Sequence, residues 1–350
     1  MEINFGFETE VSKIIEHLKN IELNEKIENN LKKRTVIMAP DIGGKDKIGE
    51  IDKRNYKLRV YSHGGRILEL TTQPQRKAKN KYIPNKAYIE KNEKEENGKP
   101  KRSDYIPISW SDEKYEKVRK MRGALEYVNT KEDDLINAIE IAKVRGELIA
   151  EERSLETYLV YKNRSERCKG TIIDMEFNCP KDWLLEKEKR IDYTSSTGKP
   201  DLIVFDSKTN SFGLIELKYK NKSTENIVKH FVDFFNIVNG KSTIIKEEFK
   251  RKIMYLKHYG LINIDITDED LNNAVQAVNN IWVGFLFIDG DEGKSYDVYE
   301  DGYEEFNQLR IESETSKGVK LPPIEIGFCY YTDKNVRMDF NKEAFCFKHE

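Results

Sequence analysis

The sequence predicts an α/β fold, and three observations carry that prediction. The run GKPDLIVFDSKTNSFGLIELKYK (198–220) reads as two apolar strands, Leu202 to Phe205 and Phe212 to Tyr219, joined by the polar turn Asp206 to Ser211. From position 133 onward, periodicity gives helix, strand, strand, strand, helix, strand. The whole chain of 350 residues is 35% charged and 38% hydrophobic, which is enough apolar content for a sizeable core beneath a heavily solvated surface.

Two regions are expected, 1–131 of mixed structure and 132–350 carrying the α/β core. Residues 1 to about 33 read as one or two polar helices. Thr35 to Met38 forms a short strand. Tyr56 to Tyr61 and Arg66 to Thr72 form a hairpin around Ser62-His63-Gly64-Gly65. From Gln73 to Asp104 the chain is polar, and Pro74 to Asp104 holds ten basic against five acidic residues. This reads as a solvated, locally basic loop (about 74–104). A helix over Glu113 to Tyr127 precedes a long one from Asp133 to Val160. The strand Thr171 to Phe177, the hairpin, helices over Thr224 to Val238 and Lys246 to His258, and the strand Ile281 to Ile288 follow. The remainder reads as a β-leaning tail that includes Ile324 to Tyr331.

Chemistry concentrates on the hairpin. Pro200-Asp201 is followed by fourteen residues and then Glu216-Leu217-Lys218. Side chains alternate along a strand, so Glu216 and Lys218 share one face while Ile215, Leu217 and Tyr219 share the other. A hairpin of this length brings Asp201, at the mouth of the first strand, next to Glu216. Two carboxylates and an ammonium at the edge of an apolar sheet suit a hard divalent cation that keeps room for water and phosphate.

This pattern resembles the PD-(D/E)XK nuclease superfamily, most specifically over 199–219 and more broadly over about 147–288. The resemblance implies a restriction-endonuclease-like αβββαβ core and hydrolysis of phosphodiester bonds, in DNA ahead of RNA. It implies Mg²⁺, with Mn²⁺ as a substitute, held by Asp201, Glu216 and the backbone carbonyl of Leu217. Lys218 would orient or deprotonate the attacking water. Restriction, repair and anti-phage defence are the settings implied, with a homodimer or a defence-complex partner. The rival reading is a non-catalytic nucleic-acid-binding or assembly module that keeps the fold; the intact Asp201, Glu216 and Lys218 set speaks against it.

The family also places an acidic residue on the first core helix. At about 100° per residue from Glu152, the residues Ile141, Leu148, Leu155 and Leu159 all fall within about 60°. Glu152 therefore sits in an apolar stripe, where a buried carboxylate needs compensation; Glu156 is the second choice. Asp174 and Glu176 are expected to face solvent together. Lys220 is a weaker site candidate, and Lys229 and His230 are assigned to the solvated side of their helix. Gly293-Lys294-Ser295 mimics the end of a phosphate loop. It fails because Ile288 stands where the first glycine is needed, and because Tyr296 to Tyr299 does not read as helical.

A net charge of −2 gives no overall attraction to nucleic acid, so any contact needs a local basic patch. Cys168, Cys179, Cys329 and Cys346 are scattered without zinc spacing and read as free thiols of a reducing cytosol. The acidic, amphipathic start is unlike a signal peptide, and no apolar run reaches membrane-spanning length, so a cytoplasmic protein without membrane contact is expected.

Overall fold

A computed structural model describes residues 12, 15–16, 35–39, 41–42, 56–71, 151–165, 168–191, 199–220, 227–318, 320, 324–332 and 340–349. The basic loop, the helix expected over 113–127 and the expected domain boundary at 131/132 lie outside these residues. The chain divides into two compact units, Met1–Lys162 and Asn163–Glu350, the division falling within a helix.

In the first unit, β1 (Thr35–Ile37), β2 (Asp41–Ile42) and β4 (Gly65–Thr71) all pair antiparallel with β3 (Tyr56–Ser62). The β3–β4 hairpin closes through His63 and Gly64, both with positive φ (49° and 76°). Two such residues make the turn whose twist matches that of the strands. Gly64 donates to Thr157 Oγ1 at 2.8 Å, and a Cβ at Gly64 would lie 2.4 Å from the Arg153 carbonyl carbon. Only glycine fits both the dihedral and the space. His63 is buried and meets the Ser62 hydroxyl through Nδ1 at 2.9 Å. Thr157 and Arg153 belong to α1 (Glu151–Ser165), the described end of the helix expected over Asp133 to Val160.

The second unit is a six-stranded mixed sheet in the order β10-β9-β8-β7-β6-β5, comprising β5 (Gly170–Met175), β6 (Leu202–Asp206), β7 (Ser211–Tyr219), β8 (Ile281–Ile288), β9 (Ile326–Tyr331) and β10 (Cys346–His349). β5–β6–β7 is an antiparallel meander; β7, β8 and β9 run parallel, and β10 closes antiparallel on β9. Parallel neighbours require crossovers. Between β7 and β8 lie α2 (Ile227–Val238), α3 (Ser242–His258) and α4 (Asp268–Gln276), and α5 (Glu292–Lys317) connects β8 to β9.

One sheet face carries Phe212, Glu216, Phe285 and Phe328, which the strand registers place side by side. Helices cover it. Phe249 of α3 packs on Phe212 (5.5 Å between centroids), Phe231 of α2 on Phe285 (4.3 Å), and Tyr299 of α5 on Phe328 (5.3 Å). The opposite face carries Trp282 against Phe345. Aromatic pairs of this kind add to the large area each ring buries.

Two helices depart from the expected tail and connections. α4 was absent from the sequence reading, although a Thr267/Asp270 capping box starts it. α5 occupies the first part of the expected β-leaning tail, whose later part holds β9 and β10: Asp291 caps its first turn through Lys294 N–H at 3.0 Å, and Gly318, with φ 62°, ends it. Tyr296 to Tyr299 is therefore helical. The phosphate-loop mimic still lacks its first glycine.

β5 also differs from expectation. All six of its residues are buried, so neither strand face leaves Asp174 in solvent, and its register against β6 slips between Ile172 and Asp174. Asp174 is 1% exposed; Oδ1 accepts from Met175 N–H at 2.9 Å and Oδ2 pairs with Lys252 Nζ at 2.8 Å. Arg164 donates to the carbonyls of Ile172 (2.9 Å) and Ile173 (3.0 Å), and Asn163 exchanges bonds with Gly170 and Ile172. The outer edge of β5 is thereby closed by side chains. Burial pulls the Arg164 guanidinium down to about 10, and the charge of Asp174 opposes that pull.

Removing one partner of a buried pair leaves an uncompensated charge, at a cost of about 3–5 kcal/mol. K252M should therefore lower unfolding stability by about that amount in urea titration, and D174L/K252M should recover most of it. A single variant as stable as wild type would show that the pair contributes little.

Candidate functional site

The site begins where the β6–β7 ladder ends. The last paired residues are Leu202 and Ile215. A strand residue directs its N–H and C=O to the same edge, and successive residues alternate edges. Phe212 N–H donates to Asn280 and Lys220 N–H to Ile288, so the even-numbered residues of β7 face β8. Leu217 therefore faces the β6 edge, beyond the reach of the last β6 pair. Its amide donates to the Asp201 carboxylate at 2.7 Å. The Leu217 carbonyl projects to that same edge. Asp201 is also held through its own carbonyl, which accepts from Glu176 N–H at 2.9 Å.

Glu216, next along β7, points to the helix-covered face and is 3% exposed. Its Oε1 accepts from Lys218 Nζ at 2.6 Å and lies 3.2 Å from His230 Nε2, on α2. Lys218 and His230 are 3.5 Å apart. Burial on its own would raise the Glu216 carboxyl. The hydrogen bond from His230 and the charge of Lys218 outweigh it and hold the group below its ordinary value. The second oxygen, Oε2, is buried without a hydrogen-bond partner among the described residues, as is His230 Nδ1. A buried, ionised oxygen left open is costly unless something positive fills the place.

The structure thus brings together Asp201, Glu216, Leu217 and Lys218 and adds His230, which sequence reasoning had set on the solvated side. Its signal was one of spacing: His230 lies three residues after Ile227 and four before Phe234, half-buried at the edge of the buried stripe of α2. Lys220 leaves the site, since its backbone turns to positive φ (55°) and its Nζ lies over the Tyr219 ring at 4.8 Å. Glu176 is half-buried with φ 52°, its amide on Asp201, so the solvent-facing pair with Asp174 does not form. On α1, Glu152 is half-buried, whereas Glu156 is 4% exposed, so of these two the buried carboxylate is Glu156.

Among the described residues, no cluster of three or more His, Cys, Asp and Glu side chains is arranged as a metal site. Mg²⁺ needs fewer protein ligands than such a cluster, binding through one or two carboxylates and keeping several waters. Asp201, the open Oε2 of Glu216 and the Leu217 carbonyl supply such a set.

The lowered Glu216 carboxyl fixes the sign of a pH effect. Ionised Glu216 stabilises the folded state above its unfolded value near 4.5, and that contribution is lost as pH falls through the lower folded value. In urea titrations the gap between wild type and E216Q should therefore be steady at neutral pH and narrow below about 4.5; a gap that persists into acid would overturn the assignment. Comparison with protein-family models, curated proteins and solved structures finds no match to this chain, so the site rests on its own geometry.

Proposed function

We propose that the chain is a metal-dependent nuclease of PD-(D/E)XK type, hydrolysing phosphodiester bonds in DNA ahead of RNA. One observation carries the reading: the Leu217 amide on the Asp201 carboxylate. That bond sets the acid of Pro-Asp beside the acid-x-Lys pair, the juxtaposition the sequence pattern demands. The order α1-β5-β6-β7-α2, with β8 after further helices, follows the αβββαβ sequence of elements and supports the same reading.

Asp201, Glu216 Oε2 and the Leu217 carbonyl would hold Mg²⁺, which when bound polarises a phosphate and acidifies a water. Lys218, donating to Glu216, presents its ammonium beside the carboxylates, where it orients a water and offsets charge developing on phosphate oxygens. His230 keeps the Glu216 carboxylate ionised and fixes which oxygen stays open.

Purified protein with Mg²⁺ should cleave plasmid or linear DNA, with RNA as the parallel substrate. K218A should slow cleavage by at least about 100-fold while thermal unfolding is unchanged. D201N should lose both cleavage and Mg²⁺ binding by calorimetry. Asn still offers an oxygen to the Leu217 amide, so the ladder end survives while the charge is lost. Cleavage by both variants at the wild-type rate would overturn the site; neither Mg²⁺ binding nor cleavage by the wild type would overturn the enzyme reading in favour of a non-catalytic module.

The acidic residue that the resemblance assigns to the first core helix is identified by E152Q and E156Q. The acting residue should lose turnover or metal affinity with little loss of stability, since Gln and Glu have similar helix propensity. Full activity in both variants would remove α1 from the mechanism.

A further inference from the structure

We infer that a second site, separate from the carboxylate cluster, takes the phosphate or carboxylate group of a small polar molecule, in a cavity at the start of β8. The cavity measures about 410 Å³, within the usual range for small-molecule pockets. It is lined by Asn239, Ser242, Lys246, Asn279, Asn280 and Glu325, among others. Glu216 stands opposite Phe285, four residues along β8 from the lining residue Ile281. That separation is about 13 Å along the strand, so the inference does not depend on the proposed nuclease activity.

The central group is Lys246, which is 4% exposed. Its ammonium has three protons, and Nζ donates to the Ala277 carbonyl at 2.6 Å. Among the described residues no carboxylate pairs with it. Burial accordingly lowers its proton affinity. The other buried lysine of α3, Lys252, is closed by Asp174; Lys246 is not closed in that way and borders open space. A buried cation without a counter-charge is costly, and an oxyanion in the cavity would supply one.

The surroundings suit the same ligand. α3 begins at Ser242 with no side-chain cap and no acidic residue in its first turn. Its positive end is therefore uncompensated where Ser242 lines the cavity. Asn239 and Asn279 add amide groups. Glu325, the carboxylate of the lining, is exposed and committed to Lys342.

The test measures thermal unfolding of the full chain during titration with inorganic phosphate and, separately, with succinate, each against sodium chloride at matched ionic strength. In wild type and in K250M, at least one anion should give a saturable rise of about 3 °C, and the two arms identify which oxyanion is preferred. K246M should abolish the rise. N279G removes an amide while tolerating the positive φ (52°) of Asn279; it should weaken saturation several-fold, and it decides the matter if K246M does not fold. No saturable rise in wild type, an undiminished rise in K246M, or unchanged saturation in N279G would overturn the inference.

Discussion

Where β6 stops pairing with β7, the amide of Leu217 still needs an acceptor, and the Asp201 carboxylate provides it. An unsatisfied amide at this place would cost about 1–3 kcal/mol, so the ladder end itself fixes the side chain. Asp201 is pinned on both sides, because its own carbonyl takes the Glu176 amide from the end of β5. Pro200 is buried and has no N–H to satisfy, which suits the entry to such a corner. Three strands thus meet at one residue, Asp201; Glu216, Leu217 and Lys218 are set relative to it by alternation along β7, and His230 comes from α2.

The same residue types meet twice in this unit with opposite results. Around Asp174 one oxygen accepts from the Met175 amide and the other faces the Lys252 ammonium at 2.8 Å, and Arg164 donates to two strand carbonyls. That cluster is closed and serves to fasten an edge strand. Around Glu216 both positive partners converge on Oε1, and Oε2 remains buried and open. The difference is one of pairing: Lys252 faces the Asp174 oxygen that the Met175 amide leaves, whereas Lys218 and His230 share one oxygen of Glu216. It arises because Lys218 lies on the same strand face two residues away and His230 approaches from the helix above.

Much of this was legible in the chain. Strands with near-continuous apolar runs, such as Ile281–Ile288, coincide with their expected limits, and alternation with the hairpin's length gave the meeting of Glu216 with Lys218 and of Asp201 with the end of β7. What was not legible depends on contacts between distant segments. β5 is buried on both faces, so Asp174 is covered whichever face it takes, and no local pattern announces the slip after Ile172. α5 was missed because its residues, rich in Tyr, Glu and Asp, show no apolar stripe, although the Asp291 cap and Gly318 stop bracket it. On α1 the projection favoured Glu152, but Ser154, Leu155, Glu156 and Thr157 are all buried, so the buried band is wider than an apolar pattern would mark.

His230 shows how far from the site its geometry is determined. Gly302 of α5 lies against Ile227 of α2 so closely that a Cβ there would fall 2.4 Å from the Ile227 side chain. Phe231 is stacked against Phe306 of α5 and packs on Phe285 of β8. α2 is therefore gripped between α5 and the sheet at the two residues that bracket His230's turn. Packed interiors transmit displacement because they have few voids to absorb it. A shift of α2 would reach Glu216 through a single 3.2 Å contact. The openness of Oε2 is thus a property of the α2–α5 packing as much as of the strand that carries the carboxylate.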